Sequence, residues 1–190
     1  AKLRELLRVE LQHLQKTQNS TTLFVTHDQV EALTMADRIA VLNEGNIIQV
    51  GTPDDIYDRP ATTFVAELVG TPRINLLPSQ RENGRLTIED NNLHFPIPAF
   101  DLPQSFLLGI RPEDITPHPQ GEFSGQIVLV EPLGVETILH IMVNGHTILS
   151  LVPGMTHLDV GDEIRFNTNF QRLHYFDTDG KRVLVKSKQV

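Results

Sequence analysis

Residues 24–32 read Phe24-Val25-Thr26-His27-Asp28-Gln29-Val30-Glu31-Ala32. The β-branched and aromatic residues of 21–26 predict a short buried strand. A helical pattern follows, to about Met35. His27 and Asp28 fall at the joint between the two. A polar side chain at the carboxyl end of a parallel strand sits where α/β folds place their ligands. An imidazole there can donate a hydrogen bond to a phosphate oxygen and help hold an attacking water. His27 is therefore the candidate catalytic and ligand-binding residue. The plainer reading of a lone histidine in this place is an ordinary polar strand end.

Upstream, Leu3, Leu6, Leu7, Leu11 and Leu14 recur at helical spacing and predict an amphipathic helix over 2–17. Its leucine stripe reads as core packing rather than a membrane anchor, because the polar face mixes charge signs. No capping residue precedes this helix and no Met opens the chain, so a fragment of a longer protein is expected. Downstream, 38–42 and 47–50 read as two strands joined by a turn at Asn43-Glu44-Gly45-Asn46. Thr52-Pro53-Asp54-Asp55 has the cap, proline and acids of a helix start. Pro60 ends that helix, and a last short one runs through Phe64, Val65, Leu68 and Val69 to Gly70. The α/β character holds over residues 1–72.

Residues 73–190 read differently. Arg85–Ile88, 126–130, 135–143, 146–151, 163–166, 173–176 and 183–185 are short β-rich runs. Asn144-Gly145 supplies the positive φ of a tight hairpin, and Asp177-Thr178-Asp179-Gly180 forms a second turn. Pro96, Pro98 and Pro103 make a stiff irregular connection. Short strands with frequent Pro and Gly punctuation predict a small barrel.

Composition excludes several classes. The chain has no Cys, so disulfides, thiolate metal sites and Cys nucleophiles are out. No apolar run approaches the roughly 18–20 residues that cross a bilayer. The net charge is −8. Residues up to Pro72 carry 6 basic and 10 acidic side chains and the rest carry 10 and 14, so each part is −4. No basic domain is hidden in the acidic chain, which argues against nucleic acid as a partner. Only 6% of residues are aromatic and Trp is absent, so a base-stacking barrel is disfavoured as well.

The 24–32 stretch resembles the switch-histidine region of ABC ATPases. Met35-Ala36-Asp37-Arg38-Ile39-Ala40-Val41-Leu42-Asn43-Glu44-Gly45 is similar to the strand pair that follows it there. Gln49-Val50-Gly51-Thr52-Pro53, Ile56-Tyr57, Arg59-Pro60-Ala61, Phe64-Val65-Ala66, Gly70-Thr71-Pro72 and Ile74-Asn75-Leu76-Leu77 continue the pattern. Gly109-Ile110-Arg111-Pro112-Glu113-Asp114-Ile115 resembles the Gly-x-Arg-Pro-Glu signature of the regulatory domain in maltose-type and glycerol-phosphate-type importer ATPases. Val130-Glu131-Pro132-Leu133-Gly134-Val135-Glu136-Thr137 with His140, and Phe170, His174, Phe176, Asp177 and Gly180, resemble two further segments of that domain.

The resemblance implies an α/β remnant of an ABC nucleotide-binding domain over 1–72, followed over 73–190 by an all-β, OB-like (TOBE) regulatory barrel. It implies a parent ATPase using ATP and Mg²⁺, with His27 at the γ-phosphate. Implied partners are transmembrane permease subunits, a second copy in a homodimer, and a regulatory protein or ligand at the barrel. The implied location is peripheral, on the cytoplasmic face of the cell membrane, with the fragment itself soluble. A sugar or related solute is the implied cargo; polyamine, iron and sulfate importers stay open, as does a non-enzymatic regulatory or dimerisation module. The sequence departs from the family pattern in having no Gly-x-x-x-x-Gly-Lys-Ser/Thr loop, no Leu-Ser-Gly-Gly-Gln and no strand ending in Asp-Glu. The chain by itself is therefore expected to be inactive and to hold no cofactor.

Smaller features take plainer readings. Asp177–Gly180 lacks the later Glu of a calcium loop and reads as a turn. Asn19-Ser20-Thr21 fits a glycosylation sequon that is expected to be inert. The other seven His residues show no His-x-x-x-His or His-x-His spacing, so no metal site is expected. Arg111 and Glu113 read as a surface ion pair fixing a turn, with a regulator-binding pair as the alternative.

Overall fold

A computed structural model describes residues 2–82, 85–88, 94–95 and 101–183. The expected connection at Pro96 and Pro98 and the strand residues Leu184 and Val185 lie outside them. Packing divides the chain into two compact units, 1–59 and 60–190. The expected boundary after Pro72 follows sequence character, so the two divisions rest on different criteria.

In the first unit, α1 (Lys2–Gln18) and α2 (Gln29–Met35) precede a hairpin of β1 (Ile39–Asn43) and β2 (Asn46–Gly51), and α3 (Pro53–Asp58) follows. The hairpin turn takes positive φ at Glu44 and Gly45, as its Glu-Gly sequence allows. At α3 the Thr52 side chain accepts from the Asp55 N–H while the Asp55 carboxylate accepts from the Thr52 N–H, a reciprocal capping box. Hydrogen bonds from Arg59, then from Thr52, hold the Asp55 carboxyl down at about 2.

Two expectations for this unit fail. Residues 21–26 form no strand, and Leu23 and Val25 are 92% and 86% exposed. The leucine stripe of α1 forms on a real helix, yet Leu6, Leu7, Leu11 and Leu14 all stay exposed. The first failure has a backbone reason. A strand needs a neighbour to satisfy its N–H and C=O groups. The described residues of this unit offer only the two-stranded β1–β2 sheet, and β1 and β2 pair with each other.

The second unit opens with α4 (Thr63–Leu68), capped by the Thr62 hydroxyl on the Val65 N–H. One sheet comprises β3 (Asn75–Glu82), β4 (Arg85–Ile88), β5 (His94–Phe95), β6 (Ser105–Ile110) and, after the next five strands, β12 (His174–Phe176). Its order is β12-β6-β3-β4-β5. The other comprises β7 (Ile115–Pro117), β8 (Phe123–Pro132), β9 (Glu136–Val143), β10 (His146–Pro153) and β11 (Glu163–Thr168), in the order β10-β9-β8-β11-β7. All pairings are antiparallel. Both sheets close on one core, in which Leu86, Phe106 and Leu108 of the first meet Ile127, Leu139 and Ile141 of the second. This is the expected all-β, OB-like barrel. Asn144 and Gly145 have φ of 45° and 92°, and Val143 pairs with His146, so the Asn-Gly hairpin forms as read.

One buried polar residue ties the sheets together. Asn75 Nδ2 donates to Ile110 O of β6 (3.1 Å) and to Leu149 O of β10 (2.9 Å), while its Oδ1 accepts from the Leu149 N–H (2.7 Å). Strand β10 is the edge of its sheet, and a side-chain amide here supplies the pairing that a further strand would give.

Candidate functional site

His27 is exposed, on a bend shortly before α2. Everything around it is braced. Asp28 Oδ1 caps α2, accepting from Val30 N (2.9 Å) and Glu31 N (3.3 Å). Thr26 Oγ1 donates to Glu31 Oε2 (2.6 Å) and accepts from Asp28 N (2.9 Å), which closes the bend. Arg8 Nη2 of α1 lies 3.2 Å from Asp28 Oδ2 and 3.6 Å from Glu31 Oε1. Gln12 Nε2 of α1 donates to Thr34 O of α2 (2.8 Å). The imidazole thus stands on a bend whose neighbours on both sides are fixed by side chains, and it is left open to a ligand. The bracing fixes the residues on either side of His27, while none of these hydrogen bonds holds the exposed ring itself.

The carboxylates nearest His27 do not form a magnesium site. Asp28 is committed to the helix cap and Arg8, Glu31 to Thr26 and Arg8. Among the described residues no group of three His, Cys, Asp or Glu is placed to hold a metal. Asp177 Oδ1 accepts from the Asp179 N–H (3.0 Å) and the Lys181 N–H (2.8 Å), so it fastens a turn.

Arg111 corrects its expected surface role. It is 1% exposed, and its Nη1 donates to Ala66 O (2.9 Å) and Val69 O (2.5 Å). These carbonyls belong to the last turn of α4 and the residue after it, where helices leave acceptors unpaired and favour a positive charge. The guanidinium therefore docks α4 on the barrel. His174 is buried nearby, and burial pushes its imidazole down to about 4, aided by Arg111, Arg182 and Arg172. The sign follows from linkage. The unfolded chain takes up this proton near pH 6.5 and the folded chain only near 4. Stability should therefore fall as pH drops through that window, by about 3 kcal/mol at most, and change little from this group above it. Denaturant titrations at pH 7 and 4.5 check this: the His174→Gln variant, which cannot titrate, should lose less stability between them than the unaltered chain.

Residues 108–176 of the second unit match the TOBE domain family. Over nearly its whole length the chain is also similar to importer ATP-binding proteins, as its sequence resemblance implied. It is 40% identical over 185 residues to the sn-glycerol-3-phosphate import ATP-binding protein of Jannaschia sp., covering 97% of this chain and 52% of that one. A second protein of that name, from Agrobacterium fabrum, is 40% identical over 191 residues, covering 96% and 53%. The alpha-glucoside transport ATP-binding protein of Rhizobium meliloti is 38% identical over 193 residues, covering 95% and 53%. The chain spans about half the length of the curated relatives it matches. Among the described residues no helix is long and apolar enough to cross a membrane. The TOBE match starts within β6 and ends with β12, so α4, docked by Arg111, is carried outside the matched segment.

Proposed function

We propose that the whole protein is the ATP-hydrolysing subunit of an ABC importer for a sugar or related solute, and that this chain is its switch-histidine region (1–72) joined to its regulatory TOBE barrel (73–190). The observation that carries the reading is the braced His27 bend in a chain similar, over almost all its length, to import ATP-binding proteins. In this reading His27 hydrogen-bonds the γ-phosphate region of ATP and orients the attacking water, while Thr26, Asp28, Glu31 and Arg8 hold its backbone in place. Mg²⁺, which supplies charge neutralisation when bound, is held by residues outside this chain. The subunit works as a homodimer with transmembrane permease subunits, peripherally on the cytoplasmic face of the membrane, and the barrel takes the regulatory contacts.

Because no phosphate-cradling glycine loop is present, this 190-residue chain should neither bind nor hydrolyse ATP appreciably. Calorimetric titration of the chain with Mg-ATP should give no binding heat. Micromolar affinity would show a nucleotide site built without that loop.

A further inference from the structure

The barrel carries a groove that nothing above uses. It has a volume of about 180 Å³ and is open to solvent, between the end of β8 and the loop that follows β10. Val130, Pro132, Met155, Leu158 and Val160 line it. Its apolar character continues onto the surrounding surface: Val135 is 81% exposed, Met155 77%, Val160 63% and Leu133 55%. Both hydroxyls in the lining already hydrogen-bond within the protein, while Asp159 stays exposed. Thr137 Oγ1 donates to Gly154 O (2.7 Å), Thr156 Oγ1 accepts from Leu158 N, and Asp159 N donates to Asp162 Oδ2. The groove therefore offers an apolar floor with one exposed carboxylate, Asp159, in its lining.

Its charge is one-sided. From 112 to 164 the chain has no Lys or Arg, but it has Glu113, Asp114, Glu122, Glu131, Glu136, Asp159, Asp162 and Glu163. Glu136, at the start of β9 beside lining residue Thr137, and Asp159 and Asp162, on the loop after β10, are exposed. Such a rim repels anionic lipid and nucleic acid and opposes a second copy of the same surface, while it attracts Lys and Arg. From the apolar floor and the anionic rim together, we infer that this groove docks a cationic amphipathic segment of a partner protein, with its apolar side chains in the groove and its Lys and Arg on the rim.

The inference deepens the reading of the barrel as a regulatory module. Its test needs no nucleotide, so its failure is distinguishable from failure of the ATPase reading. The probe is a fluorescent amphipathic helical peptide of Leu and Lys, followed by anisotropy with this chain. Saturable one-to-one binding is expected, with a Leu/Glu peptide of the same pattern weaker by at least roughly tenfold. Glu136→Lys with Asp159→Lys should weaken the Leu/Lys peptide by a similar factor. Asp54→Lys with Asp58→Lys makes the same change in net charge in the other unit and should leave binding unchanged. All four positions are exposed, so the fold tolerates the changes. Equal loss from both charge-reversed pairs would overturn the proposal, since the attraction would be net charge alone. Self-association of the unaltered chain that Val135→Asp abolishes would overturn it too, giving the groove to a second copy.

Discussion

Replacing His27 by alanine in the whole protein is expected to cut ATP hydrolysis by about 100-fold or more while leaving nucleotide affinity within about threefold. The imidazole is a single exposed group, so it adds little to the many contacts that hold a nucleotide. Its weight falls on the step in which charge and water must be placed, and interactions made mainly in that step lower turnover rather than binding. The bracing around it predicts a graded companion result. Glu31→Gln keeps the acceptor for the Thr26 hydroxyl (2.6 Å) but removes the charge facing Arg8. It should therefore retain much more activity than His27→Ala. Steady-state phosphate release paired with equilibrium nucleotide binding checks both. A His27→Ala protein with ordinary turnover would remove the residue from the mechanism.

The largest expected effect on stability comes from Arg111→Met. Methionine refills much of the volume but leaves Ala66 O and Val69 O without the donor that reaches them across more than forty residues of sequence. Each buried acceptor left unpaired costs about 1–3 kcal/mol, so a loss of about 3 kcal/mol is expected in the barrel unit. Arg111→Lys keeps a charge near the helix end but only one point of donation, and should lose about half as much. Chemical denaturation monitored by circular dichroism measures both. If Arg111→Met melts with the unaltered chain, α4 is held by its apolar face, where Val65 and Ala66 are fully buried, and not by the guanidinium.

Local chemistry was readable from the residues. The Thr52–Asp55 box, the Asn144-Gly145 turn and the Asp177 turn each complete themselves within a few residues, so short patterns are enough to place them. Failures came where a partner is distant. Residues 21–26 have strand chemistry, but a strand exists only with a neighbour, and none pairs with them among the described residues. Strand β3 was missed because its inward positions are Asn75, Leu77 and Ser79: the alternation of burial is real, yet two of the three inward residues are polar. Arg111 looked like a surface residue because nothing near it in sequence announces the helix carbonyls it meets. At the candidate site, His27 and the helix after it could be read, whereas Arg8, twenty residues upstream, shows its role only once α1 lies beside α2.

The most direct measurement is phosphate release from Mg-ATP by the whole protein together with the permease subunits proposed for it, compared with release by this 190-residue chain alone. Release by the whole assembly and none by the chain is the expected result: the His27 bend would then be one part of a site completed by the rest of the protein. Release by the chain alone, or none from the whole assembly under transport conditions, would contradict it.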